Sequence, residues 1–140
     1  MQPDEALIEH VLERLAGQDD AFRQRLFDRF FHAFPARRES FLAFGTSSRR
    51  MADETLQLLH GLAAGAEWVW PHIADLVDLH RAYGALPDAE YDSFIDLVAE
   101  TACELGGAST EADAAWRRQA SALKGLVRRA GADWAAALPR

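Results

Sequence analysis

Apolar residues recur every three or four positions along most of the chain, which is the spacing of one face of an α-helix. Breaks in this pattern divide it into six predicted helices, over residues 3–16, 19–34, 48–64, 71–83, 87–105 and 109–130, with the last continuing past Gly131. Residues 35–45 predict a short irregular connection. No segment alternates with the period of two that is typical of a β-strand. The pattern therefore predicts one all-α domain whose helices cross rather than run up and down in a simple bundle.

Glycine, proline and small polar residues mark the predicted helix ends. Glycine can adopt the left-handed conformation that closes a helix, and proline interrupts the helical hydrogen bonds. The predicted stops are Gly17, Pro35, Gly84 and Gly106–Gly107. Carboxylates and hydroxyls favour helix starts, because they accept hydrogen bonds from the first backbone amides. The predicted caps are Asp19–Asp20, Thr46–Ser47–Ser48 and Ser109.

The predicted helix before Gly84 carries a histidine in the middle of its apolar face. Residues at helical spacing on this face are Ile73, Leu76, Val77, His80 and Tyr83. Burying an imidazole costs free energy unless its two nitrogens find partners. Two interpretations follow. His80 is either a core histidine satisfied by a backbone carbonyl or a tyrosine, or a ligand to a metal in an apolar cavity, of which haem iron is the commonest case.

Composition and charge narrow the class of protein and its partners. The chain has 140 residues, of which 49% are hydrophobic and 26% charged, a mixture typical of a single globular domain over residues 1–140. A net charge of -7 disfavours nucleic acid or an anionic membrane surface as a partner, because both require a positive face. The local exceptions, Arg37–Arg38 and Arg49–Arg50, are either solvated helix ends or partners for carboxylate or propionate groups.

Three features of the sequence predict a cytoplasmic protein. The single Cys103 cannot form a disulfide within the chain and fits a reducing compartment. Asp4 and Glu5 stand where a signal peptide would carry positive charge. No apolar run approaches the roughly 20 residues of a membrane-spanning helix. We therefore expect a soluble protein without a membrane partner, as a monomer or a homodimer.

Three motifs in order resemble the globin superfamily, specifically the bacterial single-domain haemoglobins and the globin domain of flavohaemoglobins. The family's proximal-histidine segment, L-x-x-x-H-x-x-Y-G followed by P-x-x-x-Y, is matched by Leu76, His80, Tyr83, Gly84, Pro87 and Tyr91. The family's F-Y-x-x-L-F-x-x-x-P, with a phenylalanine six places after the proline, is matched in spacing by Leu26, Phe27, Phe30, Phe31, Pro35 and Phe41. Trp116 and Ala120 correspond to the A-W-x-x-A-Y run of the last helix at nearly the same spacing. The resemblance covers about residues 20–135 and favours the metal-ligand interpretation of His80.

This resemblance implies a globin fold of six to seven helices that holds haem b, iron protoporphyrin IX. The iron ligand that it implies is His80 through Nε2, with Nδ1–H donated to a nearby backbone carbonyl. Phe41 would pack on the haem face. The other contacts implied for haem are Phe27, Met51, Thr55, Leu58, Leu76, Tyr83 and Tyr91, of which Leu76 and Tyr91 line the proximal side.

Departures from the family pattern bear on the chemistry of the implied site. Phe27 stands where oxygen-binding members carry a tyrosine, so no hydroxyl is present there to donate to oxygen. The position that holds glutamine or histidine over the iron falls at Met51, or within the residues up to Glu54. The proximal glutamate of flavohaemoglobins falls at or near Gly131. These departures predict an apolar distal pocket and argue against peroxidase-like or dioxygenase chemistry.

Three functions are compatible with these residues. The first, which the sequence favours, is reversible binding of a diatomic gas (O2, NO or CO) at a haem iron, for transport, scavenging or sensing. The second is a redox enzyme such as an NO dioxygenase, which would need a separate reductase because 140 residues leave no room for a flavin domain. The third is a globin-like module that has lost haem and serves in regulation.

Overall fold

The computed structural model describes residues 3–41, 44–81 and 86–137, with side chains except those of residues 44 and 134–137. The α-helices are α1 (Glu5–Leu15), α2 (Asp19–Ala33), α3 (Phe44–Ala64), α4 (Val69–Arg81), α5 (Asp88–Leu105) and α6 (Thr110–Ala137). A 3-10 helix, Pro35–Ser40, lies between α2 and α3. No strand occurs in these ranges, so the predicted all-α class with six to seven helices is confirmed. None of the described helices combines the length and apolar character needed to cross a bilayer.

Helices α5 and α6 form the centre of the fold. Helix α6 packs against α1, α3, α4 and α5, and α5 also packs against α1, α2 and α3. The buried residues of the two central helices recur at the helical spacing of apolar positions from which the sequence predicted these helices, and they include Phe94, Ile95, Val98, Ala102, Trp116, Ala120, Leu123, Val127 and Ala130. Full burial of a large apolar side chain contributes about 1.5–3 kcal/mol. These two faces therefore supply much of the driving force that holds the outer helices in place.

Several predicted helix ends are confirmed. Gly17 and Gly107 follow α1 and α5 with φ angles of 85° and 59°, in the left-handed conformation that glycine adopts without strain. At the start of α6 the Ser109 hydroxyl accepts a hydrogen bond from the Ala112 N–H at 3.1 Å. This is the geometry of an N-cap, as the sequence predicted.

The connection after α2 is more regular than predicted. Helix α2 ends at Ala33, and Pro35 then begins the 3-10 helix, in which the Arg37 N–H donates to the Phe34 carbonyl at 3.0 Å. The Arg37 guanidinium also donates two hydrogen bonds, at 2.5 and 2.8 Å, to the Glu90 carboxylate on α5. Of the two interpretations of this arginine, pairing with a carboxylate is the correct one. The ion pair holds the segment against α5, and a local sequence pattern does not encode such a contact.

Two predicted helix starts are wrong. Helix α3 begins at Phe44 instead of residue 48, and Ser48 is buried inside it, with its hydroxyl donating to the Gly45 carbonyl at 3.4 Å. A hydroxyl that bonds back to its own helix does not cap it. Asp19 is the first residue of α2 after Gln18 and is not its N-cap. Its negative charge still suits the positive end of the helix dipole.

Candidate functional site

His80 lies near the C-terminal end of α4, on the apolar face that the sequence predicted. Ile73 and Val77 on that face are 0% and 6% exposed, whereas His80 is half-buried. The His80 Nδ1 atom lies 2.8 Å from the Leu76 carbonyl oxygen, one helical turn earlier. Because a carbonyl oxygen only accepts hydrogen bonds, Nδ1 carries the proton, and Nε2 of the neutral ring keeps its lone pair.

This hydrogen bond fits both interpretations of His80, which differ at the second ring nitrogen. A satisfied core histidine would use Nε2 in a further hydrogen bond, whereas a metal ligand would keep it available. Nε2 has no hydrogen-bond partner among the residues that the structure describes. The neighbouring Tyr91 meets the imidazole edge to face, with ring centroids 5.7 Å apart and planes at 74°, which is a contact between rings. The geometry therefore leaves a nitrogen with the lone pair that a metal requires.

A cavity of about 310 Å³ lies beside Tyr91, between α4, α5 and α6. Gly131 lines it, so this position brings no carboxylate towards Tyr91, and the described lining contains one acidic residue, Asp88. The Arg81 guanidinium donates to the Gly131 carbonyl at 3.4 Å. Burial raises the pKa of the Tyr91 phenol, which therefore keeps its proton at neutral pH. Gly131, which stands at the position of the family's proximal glutamate, thus lines the same cavity as Tyr91, the predicted proximal tyrosine.

Phe27 and Phe41 belong to a cluster of aromatic rings between α2, the 3-10 helix and α5. The Phe27 ring is 1% exposed, and its centroid lies 5.6 Å from those of Phe41 and Phe94. The Phe31 ring also contacts Phe41, at 5.4 Å. Such ring pairs contribute about 0.5–1.5 kcal/mol each beyond their burial. Phe27 and Phe41 are thus part of the core, while the ring of Phe41 remains partly exposed.

Helix α5 contacts both His80 and the aromatic cluster around Phe27, through residues on neighbouring turns. Tyr91 contacts His80, and Phe94, three residues later, contacts Phe27, so both lie on the same side of α5. The buried Glu90, which holds the segment before Phe41, was not singled out from the sequence. A signal existed, because Glu90 lies four residues before Phe94 and so on the apolar face. A carboxylate there requires a charged partner.

The predicted residues of α3 form a face with few hydrogen-bond donors. Thr55 and Leu58 are 7% and 3% exposed, and Met51 packs partly buried against the core. The Thr55 hydroxyl donates to the Met51 carbonyl at 2.8 Å, so its proton is used within the helix. Met51 and Leu58 contribute only thioether and alkyl groups. That these three side chains line a distal pocket stays a prediction.

The remaining predicted residues have different outcomes. Tyr83 and Gly84 fall outside the described residues, and their roles stay predictions. Among the other histidines of the chain, His32 is exposed, whereas His60 and His72 are half-buried.

Comparison with family models, with curated proteins and with solved structures gave no match to this chain. The globin resemblance therefore rests on the three sequence motifs. The residues of those motifs include an imidazole whose Nε2 has no hydrogen-bond partner among the described residues, a tyrosine in contact with that imidazole, and two rings of an aromatic cluster.

Proposed function

We propose that this chain is a haem-binding globin that reversibly binds a diatomic gas (O2, NO or CO), with His80 as the proximal iron ligand. The observation that carries this proposal is that Nε2 of His80 has no hydrogen-bond partner among the described residues, while Nδ1 donates a hydrogen bond to the Leu76 carbonyl at 2.8 Å. This hydrogen bond fixes the tautomer in which Nε2 is the basic nitrogen, and bonds of this kind orient histidine ligands in metal sites generally. His80 is half-buried on an otherwise apolar helix face, which suits a side chain that binds a metal at the border of an apolar cleft.

The residues proposed as haem contacts fit haem b in their chemistry. Haem, when bound, would supply an iron that accepts a diatomic gas. The flat ring requires apolar and aromatic walls, and Leu76, Tyr91 and Phe41 are of that kind. All three are packed against the core while remaining partly exposed, so each keeps surface that a ligand could cover.

The residues proposed for the gas side support an apolar binding site. Phe27 has no hydroxyl, and the Thr55 hydroxyl proton is engaged within α3. A hydrogen bond to a strongly polarised group is worth about 1.5–3 kcal/mol. Its absence corresponds to oxygen release that is about ten- to a hundredfold faster than from a pocket with a donor. We therefore propose that the site favours CO or NO over oxygen.

We also propose a cytoplasmic location for the protein. Cys103 is a free, buried thiol, which persists where the compartment keeps thiols reduced. The negative net charge adds no attraction to an anionic membrane surface.

Haem reconstitution tests this proposal. The purified chain is titrated with haemin, and absorption spectra are recorded for the ferric, ferrous and CO-treated forms. Wild type and His72→Ala are expected to take up one haem and give equal spectra, because His72 is a half-buried histidine of the same helix without a proposed role. His80→Ala is expected to lose the spectrum of a histidine-ligated ferrous iron. Circular dichroism establishes that each variant is folded.

Three outcomes would overturn the proposal or its assignment. A wild-type chain that stays colourless after reconstitution would favour a haem-free regulatory module. Spectra that His80→Ala leaves unchanged would place the iron ligand elsewhere. Rapid aerobic consumption of NO with an electron donor would identify a redox enzyme, served by a separate reductase, instead of a reversible gas binder.

A further inference from the structure

Three metal-binding side chains meet between α1 and α3, outside the proposed haem site. One ligand atom each from Glu5, Glu9 and His60 lies within 4.8 Å of the other two. Glu5 and Glu9 are four residues apart on α1 and share one face of it. His60 approaches from α3, with Nε2 3.0 Å from the Glu9 Oε1 atom. The cluster thus spans two helices that pack against each other.

The charge of this cluster favours a bound cation. Two carboxylates at positions i and i+4 of a helix repel each other, and a divalent cation held between them would offset this repulsion. All three side chains are half-buried, so the solvent screens this repulsion less than on an open surface. We propose that Glu5, Glu9 and His60 bind a divalent transition-metal cation, of which Zn²⁺ is the best fit.

The mixture of ligand atoms selects this class of ion. Imidazole suits zinc and similar metals, whereas magnesium and calcium prefer oxygen ligands throughout. Zinc binds nitrogen and oxygen at about 2.0–2.2 Å, so tetrahedral ligands stand about 3.3–3.5 Å apart. Rotation about the glutamate side-chain bonds is enough to reach these separations from within 4.8 Å. A fourth position remains for water.

Such an ion would cross-link α1 to α3, the helix that carries Met51, Thr55 and Leu58. It would stabilise the folded chain, since the three ligands come together only when α1 and α3 are packed. The site does not depend on haem, so its test is independent of the gas-binding proposal.

Calorimetric titration of the full, haem-free chain with Zn²⁺ tests the inference. The wild type is expected to bind the ion, and Glu5→Gln and His60→Ala are each expected to weaken this binding at least about tenfold. Matched controls are Glu13→Gln and His10→Ala, which change exposed residues of the same types on α1 and are expected to leave the affinity unchanged. Zn²⁺ should also raise the melting temperature of the wild type and the controls, but not of the two ligand variants.

A wild type that does not bind Zn²⁺ would overturn the inference, and so would ligand variants that bind as tightly as the controls. The second result would mean that other histidines hold the ion. Glu5→Gln changes the charge of a half-buried residue at nearly constant volume, so it keeps the test decisive even where His60→Ala folds poorly.

Discussion

At the scale of single residues, the proton on one imidazole nitrogen determines what the proposed site can bind. The Leu76 carbonyl holds this proton on Nδ1 of His80, which leaves Nε2 as the basic atom. On the proposed gas side, Phe27 offers an aromatic edge in place of a hydroxyl. In the proposed site, a basic ligand combined with a pocket without a donor would release oxygen faster than a pocket that donates a hydrogen bond to it.

Adding a hydroxyl at Phe27 should slow oxygen release. In a haem-loaded Phe27→Tyr variant we expect release about ten- to a hundredfold slower than in wild type, because a hydrogen bond to polarised oxygen adds about 1.5–3 kcal/mol. Stopped-flow displacement of oxygen by CO measures this rate. The haem-free variant should be less stable by about 1–3 kcal/mol, since the hydroxyl is then buried without a partner.

Phe31→Tyr is the matched control for this prediction. Phe31 lies one turn later on α2 in the same aromatic cluster and is 4% exposed. Its substitution should lower stability without slowing oxygen release. Equal rates for Phe27→Tyr and wild type would contradict the proposed position of Phe27 beside the gas.

Cys103 should be chemically inert in the folded protein. Burial raises the pKa of its thiol to about 12, so almost no reactive thiolate exists at pH 8. We expect reaction with a disulfide reagent at least about a hundredfold slower in the native chain than in urea. In Ser121→Cys, where the new thiol is exposed on α6, one thiol should react rapidly. Equal rates at the two cysteines would refute the prediction.

At the scale of elements, the sequence predicts the buried faces and the C-terminal ends of the helices better than their N-terminal ends. The apolar periodicity of α5 and α6 gives their buried faces, because burial follows side-chain spacing directly. Gly17 and Gly107 close helices because no other residue type takes their backbone angles without strain. The predicted N-cap at Ser48 is wrong because a serine hydroxyl can donate a hydrogen bond to a carbonyl of its own helix instead of capping the helix end.

The start of α1 is held by a contact that no local pattern contains. The Asp4 carboxylate accepts hydrogen bonds from Arg118 at 2.8 and 3.1 Å, and from Gln119 at 2.9 Å. The Arg118 guanidinium lowers the pKa of Asp4 below its ordinary value. The ion pair therefore stabilises the folded state above the ordinary aspartate pKa, and this stability is lost as the pH falls through the lowered one.

Asp4→Asn should reduce the free energy of unfolding by at most about 1 kcal/mol at pH 7, since Arg118 is largely exposed. The difference from wild type should shrink as the pH falls below about 4. Urea titrations at pH 7 and pH 3 measure both effects. Asp133→Asn removes an exposed pair with Arg129 and should change little at either pH. A difference for Asp4→Asn that grows in acid would contradict this account.

At the scale of the whole molecule, α5 is the element that assembles the candidate site. It carries Tyr91 against His80, Phe94 against Phe27, and Glu90 against Arg37. The motifs singled out three of these residues, Tyr91, His80 and Phe27, because they match family positions, whereas Phe94 follows from the apolar periodicity of α5. The ion pair escaped prediction, since its partners are 53 residues apart and join only in the folded chain.

Resonance Raman spectroscopy of the ferrous haem complex tests the central claim most directly, because it detects the bond between iron and the histidine nitrogen. In wild type we predict an iron–nitrogen stretching band that shifts to lower frequency with ¹⁵N-labelled histidine. The band should vanish in His80→Gly and return when imidazole is added to that variant. A band that persists unchanged in His80→Gly without imidazole would contradict His80 as the iron ligand.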